Sequence, residues 1–195
     1  MKRICVFCGS NPGNRLEYLT AAKELGHLLA AKKIGLVYGG ASIGIMGAIA
    51  NAVLEKGGEV IGVMPQHLVD REVAHKNLTT LHVVKTMHER KALMEKLSDA
   101  FIALPGGFGT LDEFCEILTW SQLGFHKKPS GLLNIVGYYD LFIKFINNCN
   151  AEGLIRKENH EMMFAASNAK DLLKIFDDYI AATNNLEPKS RFMES

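Results

Sequence analysis

Long hydrophobic runs are missing from this sequence. The apolar stretch after the N-terminus, residues 4–7, is too short for a signal-peptide core, and no run approaches the ~20 residues that span a bilayer. No membrane partner is therefore expected. Cysteine is scarce: Cys5, Cys8, Cys115 and Cys149 are too few and too scattered over 195 positions for a disulfide framework. Cys5 and Cys8 have C-x-x-C spacing, yet Cys5 lies inside an apolar run and no second pair completes a zinc site. A reduced, cytoplasmic setting fits this usage. Charge of one sign is lacking too. With 22 basic and 21 acidic residues the formal net charge is +1, so no global field recruits nucleic acid or anionic lipid. A local anion site remains open. The seven histidines form no HExxH and accompany no serine-elbow context, which leaves metal hydrolysis and a Ser-His-Asp triad unsupported.

Short apolar β-branched runs alternate with amphipathic stretches, and 48% hydrophobic content can bury a substantial core. The pattern predicts strands over 4–7, 36–38, 60–64, 81–84, 101–104 and, last, 131–136. Helices are predicted over 16–31, 43–55, 87–98, 109–124, 140–152 and 171–182. Residues 66–80 have no clean period and read as an irregular loop near the site. Such alternation points to the α/β class, a parallel sheet with helices on both faces. No repeat, low-complexity tract or linker divides the chain, so one domain over 1–183 and a polar tail over 184–195 are expected. Parallel sheets of this kind bind ligands beyond the carboxyl ends of their strands. The glycine clusters Cys8-Gly9-Ser10, Gly39-Gly40 and Pro105-Gly106-Gly107 fall there.

The strongest chemical signal is LPGGFGTLDE, residues 104–113. Gly106, Gly107 and Gly109 let backbone N–H groups approach an oxyanion, the helix start adds free donors, and Thr110 adds a hydroxyl. A phosphate site is one reading; a tight strand-to-helix turn capped by Thr110 is the other. The Lys-Ser/Thr ending of a P-loop is absent, so triphosphate chemistry is not indicated. Glu113 is either a favourable partner of the helix dipole or an anion set against a ligand. Near a ribosyl carbon losing its base, such an anion would stabilise the cationic transition state or activate water. Arg90 and Lys91 in MHERK are either a solvated helix face or a ligand clamp, Arg90 being able to grip phosphate or orient Glu113. Gly39-Gly40 permits close approach of a ligand. The strand after it ends without the acidic residue that grips the ribose in NAD enzymes.

The chain resembles the Lonely-guy (LOG) family, which releases cytokinin bases from their riboside 5′-monophosphates. The resemblance rests on FCGS (7–10), YGGASIGIMG (38–47), GEVIGVMP (58–65), MHERK (87–91), PGGFGTLDE (105–113) and WSQLGFHKKPSGLLN with GYY (120–139). It implies a Rossmann-like fold, a homodimer, a small-molecule nucleotide substrate such as AMP or an N6-substituted AMP, and need of neither metal nor organic cofactor. It further implies a catalytic pair, Arg90 and Glu113. Lys91, the turn of Gly107, Phe108, Gly109 and Thr110, Thr119, and Glu72 match ligand-binding positions. Gly106, Gly39, Gly40 and Ser10 join them as candidate substrate contacts. One departure stands out: the usual third glycine after Tyr38 is Ala41.

The expected activity is thus hydrolysis of the N-glycosidic bond of an adenosine 5′-monophosphate. Three rivals stay open. A non-catalytic nucleotide-binding carrier would share the fold without the reaction. A pyridoxal-phosphate decarboxylase would need a Schiff-base lysine and a ring-nitrogen partner, and no such pair can be picked out. A DNA-handling module would need a basic stripe.

Overall fold

A strand covered on both faces needs apolar side chains at every position. The stretches Arg3–Phe7 (β1), Gly35–Tyr38 (β2), Val60–Pro65 (β3), Ala100–Ala103 (β5) and Ser130–Leu133 (β6) are of that kind apart from their first residues Arg3 and Ser130, and are buried almost end to end. Thr80–Val84 (β4) and Met163–Ala166 (β7) are half-buried and form the two edges. The computed structural model describes residues 1–69 and 74–186. Among them the strands make one parallel sheet in the order β4-β3-β2-β1-β5-β6-β7. It is Rossmann-like, with helices on both faces.

The period of two divides the core. Ile4 and Val6 of β1 face a layer made by Leu16–Ala31 (α1), Gly44–Glu55 (α2) and the C-terminal helix Ala169–Leu186. Cys5 and Phe7 face the layer of Met87–Leu97, Phe108–Gln122 and Asp140–Ala151. With the short helical segments Gln66–Val69 (α3) and Lys157–His160 (α7), the four longer helices after α2 are α4, α5, α6 and α8 in chain order, α4 starting at Met87, α5 at Phe108, α6 at Asp140 and α8 at Ala169. Gly26 lets α1 and α2 touch closely, since a Cβ there would lie 2.8 Å from the Cβ of Ala52.

The structure differs from the expectation in three places. The run 131–136 is not the last strand: β7 follows it, built from Met163, Phe164, Ala165 and Ala166. None of these is β-branched, and strand propensity alone does not find an edge that pairs with a single neighbour. Beyond Leu133 the chain leaves the sheet in a 3-10 turn, Ile135–Gly137. The predicted loop 66–80 opens with α3, and Ala74 then bridges to Ala41. α8 runs on to Leu186, taking in the first residues of the expected tail; from residue 187 that tail lies outside the described residues. Among the described residues no helix is long and apolar enough to cross a membrane.

Strand order reverses between β1 and β5, the position where such sheets open a crevice. Both strands end in glycine-bearing loops, and the Gly9 N–H donates to the Pro105 carbonyl at 3.0 Å, lacing the two loops together.

Candidate active site

α4 begins at a cap. The Thr86 hydroxyl accepts the Glu89 N–H at 3.1 Å, and the Glu89 carboxylate accepts the Lys85 N–H at 2.8 Å. This start sets Arg90 one turn into the helix and turns it inward, under the carboxyl end of β3. There its Nε donates to the Val63 carbonyl at 3.0 Å, and its Nη1 donates to Oε1 of Glu113 on α5. The remaining nitrogen, Nη2, lies against Gly39, where an added Cβ would stand 2.5 Å from it. Gly39 therefore makes room for the guanidinium. Arg90 and Glu113 are each only 6% exposed. A charged pair this deep costs more in lost hydration than a surface bridge and contributes little net stability, so chemistry is the better account of it.

Burial pushes the Glu113 carboxyl up; Arg90 pulls it back, and the net result is a pKa above the usual 4.5. A carboxylate so placed attracts positive charge and takes up a proton more readily than a solvated one.

α5 supplies the second part. Gly107 is its N-cap, and the Leu111 N–H donates back to the Gly107 carbonyl at 3.1 Å. The N–H groups of Phe108, Gly109 and Thr110 ahead of it are first-turn donors without an acceptor inside the helix. Gly106 is needed for space, because a Cβ there would run into the buried Thr110 side chain and lie 3.0 Å from the Gly9 nitrogen. Beside Gly107 and Gly109 there is open space. Free donors, a helix N-terminus and room next to them suit an anion.

These parts share one cleft of about 610 Å³. Ser10, Gly39, Arg90, Gly106, Gly107, Phe108, Gly109, Thr110 and Glu113 all line it. Gly40 sits behind its neighbour with φ +85°, its carbonyl accepting the His75 N–H at 2.9 Å. Lys91 is turned toward the outer side of α5, 3.0 Å from Glu116 and 3.3 Å from Asp112. Burial works against its charge, but the two carboxylates outweigh it and hold its pKa up. Thr119 is exposed near the end of α5, its hydroxyl donating to the Cys115 carbonyl at 2.8 Å. Glu72 lies outside the described residues. Sequence reasoning missed Tyr18, Met46, Met64, Leu68 and Tyr138, which also line the cleft. They come from five separate segments; Met46, Met64 and Tyr138 lie inside motifs that carry the resemblance, but nothing there marked their side chains as lining a site, and Tyr18 and Leu68 had no signal.

Fold and cleft place the chain in the class of Rossmann-like α/β proteins with the ligand site at the sheet's switch point. The solved structure of a molybdenum cofactor binding protein from Rippkaea orientalis shares this fold, with a TM-score of 0.70, 22% identity and coverage of 92% of this chain and 98% of that one. The profile of a family described as "Possible lysine decarboxylase" matches residues 46–176. Cytokinin riboside 5′-monophosphate phosphoribohydrolase LOG1 of Arabidopsis thaliana is 51% identical over 179 residues, covering 92% of this chain and 84% of that protein. The enzyme LOG of Oryza sativa subsp. japonica is 48% identical over 179 residues, covering 92% and 74%. The chain belongs to this LOG family.

Proposed function

We propose that the protein is a cytoplasmic phosphoribohydrolase that splits adenosine 5′-monophosphates, N6-substituted ones included, into free base and ribose 5-phosphate. The observation that carries this reading is the buried Arg90–Glu113 pair, which lines the same cleft as the glycine turn that opens α5. The 5′-phosphate sits on the donors of Gly107, Phe108, Gly109 and Thr110. As the bond from the ribosyl carbon to the base nitrogen breaks, its electron pair leaves with the base, which takes up a proton. Positive charge spreads over that carbon and the ring oxygen, and the Glu113 carboxylate stabilises it or accepts a proton from attacking water. Arg90 holds Glu113 in place. Met46 and Met64, packed around the Gly39-Gly40 turn, offer an adaptable apolar wall to the base. Homodimerisation belongs to the same proposal: Leu123 and Phe125 are exposed just beyond the end of α5 that carries Thr119.

Among the described residues no lysine lines the cleft, and Lys91 is held by two carboxylates. A pyridoxal-phosphate decarboxylase is left without its Schiff-base amine.

The test is chromatography of reactions with AMP, prenylated AMP and the unphosphorylated riboside. Free base should appear from both monophosphates. The riboside should react about 100-fold more slowly, the equivalent of two charge-assisted hydrogen bonds of about 1.5 kcal/mol each. Equal turnover of the riboside would remove the phosphate from the glycine turn.

Gly39→Ala tests the space left for Arg90. The new methyl displaces the guanidinium rather than any backbone, so kcat should fall about 100-fold, the usual cost of a catalytic group moved by about 1 Å. The Tm should move by only a few degrees, the shift that about 1 kcal/mol produces in a domain of this size. A Tm collapse with kcat unchanged would show that Gly39 serves folding alone.

A further inference from the structure

The phosphate turn has a weakness that follows from its composition. Between Gly106 and Gly107 no Cβ restrains either side of the peptide, so this peptide plane can rotate as easily as any in the chain. A rotated peptide would present a carbonyl oxygen to a bound phosphate in place of an N–H.

One contact stands directly against that rotation: the Tyr138 hydroxyl donates to the Gly106 carbonyl at 2.6 Å. The Gly9 N–H, on the Pro105 carbonyl at 3.0 Å, fixes the peptide before it. In a planar trans peptide the carbonyl and the N–H point in opposite directions. With the Gly106 carbonyl held on Tyr138, the Gly107 N–H points away from that ring, beside the open space at Gly107. The neighbouring Tyr139 hydroxyl donates to the Leu104 carbonyl at 2.7 Å, so consecutive tyrosines grip the strand end and the turn.

Tyr138 is not there because the chain runs there easily. It is 41% exposed and follows two residues in the left-handed region, Val136 at φ +51° and Gly137 at φ +71°. A β-branched residue resists that region strongly, and such outliers persist where the surroundings impose them. The surroundings here are Asn134, whose amide donates to Asp140 at 2.7 Å and whose carbonyl oxygen accepts the Tyr139 N–H at 2.7 Å. On its other side the Tyr138 ring meets Tyr18 edge to face, with centroids 5.4 Å apart. A solvent-facing tyrosine needs none of this bracing.

We infer that Tyr138 is a positioning residue for phosphate: through its hydroxyl bond to the Gly106 carbonyl it fixes the Gly106–Gly107 peptide with the N–H turned toward the anion. This rests on the assignment of the 5′-phosphate to the glycine turn.

Tyr138→Phe removes the hydroxyl and keeps the ring packing. Inhibition by the two products separates phosphate recognition from everything else, with ribose 5-phosphate as one probe and adenine as the other. The variant should bind ribose 5-phosphate about five- to tenfold more weakly, as expected for one lost hydrogen bond acting through the turn, and KM for AMP should rise by the same factor. Adenine inhibition should be unchanged and kcat should stay within about twofold. Equal weakening of both probes would mean a general structural role, and no change in either would mean the hydroxyl does nothing for the turn; each result overturns the inference. If ribose 5-phosphate fails to inhibit the wild-type protein while AMP is still hydrolysed, the assignment of phosphate to the turn fails first, and the inference with it.

Discussion

Glu113→Gln is expected to cut kcat by at least thirtyfold while leaving KM for AMP within about threefold. A unit charge pair at ~4 Å and an effective dielectric of ~20 interacts by roughly 4 kcal/mol. If half of that favours the transition state over the ground state, the rate effect is about thirtyfold. If Glu113 also acts as general base, that role by itself is worth about 10²–10⁴-fold and deepens the loss. The substrate's phosphate is bound elsewhere, so KM is spared. The protein should still fold, because a glutamine oxygen can accept from Arg90, but with a lower Tm, since the guanidinium loses its counter-ion. Glu113 must be ionised to act, and burial has raised its pKa, so the acid limb of the wild-type pH–rate profile should lie above pH 4.5. A glutamine variant with near-normal kcat, or an acid limb at or below 4.5, would remove Glu113 from the reaction.

Arg90→Met should abolish activity and also lower stability in a pH-dependent way. It leaves a carboxylate that is 6% exposed without its cation. Breaking a buried pair from one side costs about 3 kcal/mol or more, which at 2–4 °C per kcal/mol is a Tm loss of roughly 6–12 °C near pH 8. The sign follows from linkage. Without Arg90, the carboxyl is raised further in the folded state than in the unfolded state. The native protein then binds the proton more tightly, and its stability falls as pH rises from the unfolded value through the folded one. The deficit should shrink on acidification as Glu113 protonates. The double variant Arg90→Met with Glu113→Met should regain most of the lost Tm at pH 8 and no activity, since apolar side chains of similar size replace a buried ion pair at little cost. Calorimetry at pH 8 and pH 5 on the three proteins checks this. A double variant no more stable than Arg90→Met would mean that the pair contributes to the fold rather than to chemistry.

Much of the sheet was readable because its cause is local. Buried strands such as VIGVMP, residues 60–65, are apolar at every position, and the helices between them carry a period near 3.6. The edge strand at Met163–Ala166 was not readable. It owes its conformation to β6 beside it and to α8 packed over it, and its own residues express no preference for extension. The glycine turn at 105–110 was readable for a similar local reason: glycines before a helix start leave donors uncovered whatever the rest of the fold does. Arg90 and Lys91 show the limit. They are adjacent cations, and either could have been the inward one. The helix start at Thr86 and the packing of α4 beneath β3 turned Arg90 inward to Val63 and Glu113 and left Lys91 with Asp112 and Glu116.

Gly39 teaches the same lesson from the other side. In the sequence it is a glycine that admits a ligand; in the structure it admits a guanidinium from another element. Tyr138 stood in the sequence only as part of the GYY of the resemblance, and its role appears on folding, since its hydroxyl acts on a carbonyl 32 positions away. Residues by themselves determined the order of the buried strands and long helices, the anion-suited turn and the presence of an acid and a base able to pair. Backbone torsion and side-chain polarity act over a few neighbours, and a sequence states those directly. Which acid met which base, which glycine made room for a side chain, and which peptide was held by a tyrosine were decided by tertiary packing. Those choices depend on strand order and helix rotation, which bring together groups 21 and more positions apart.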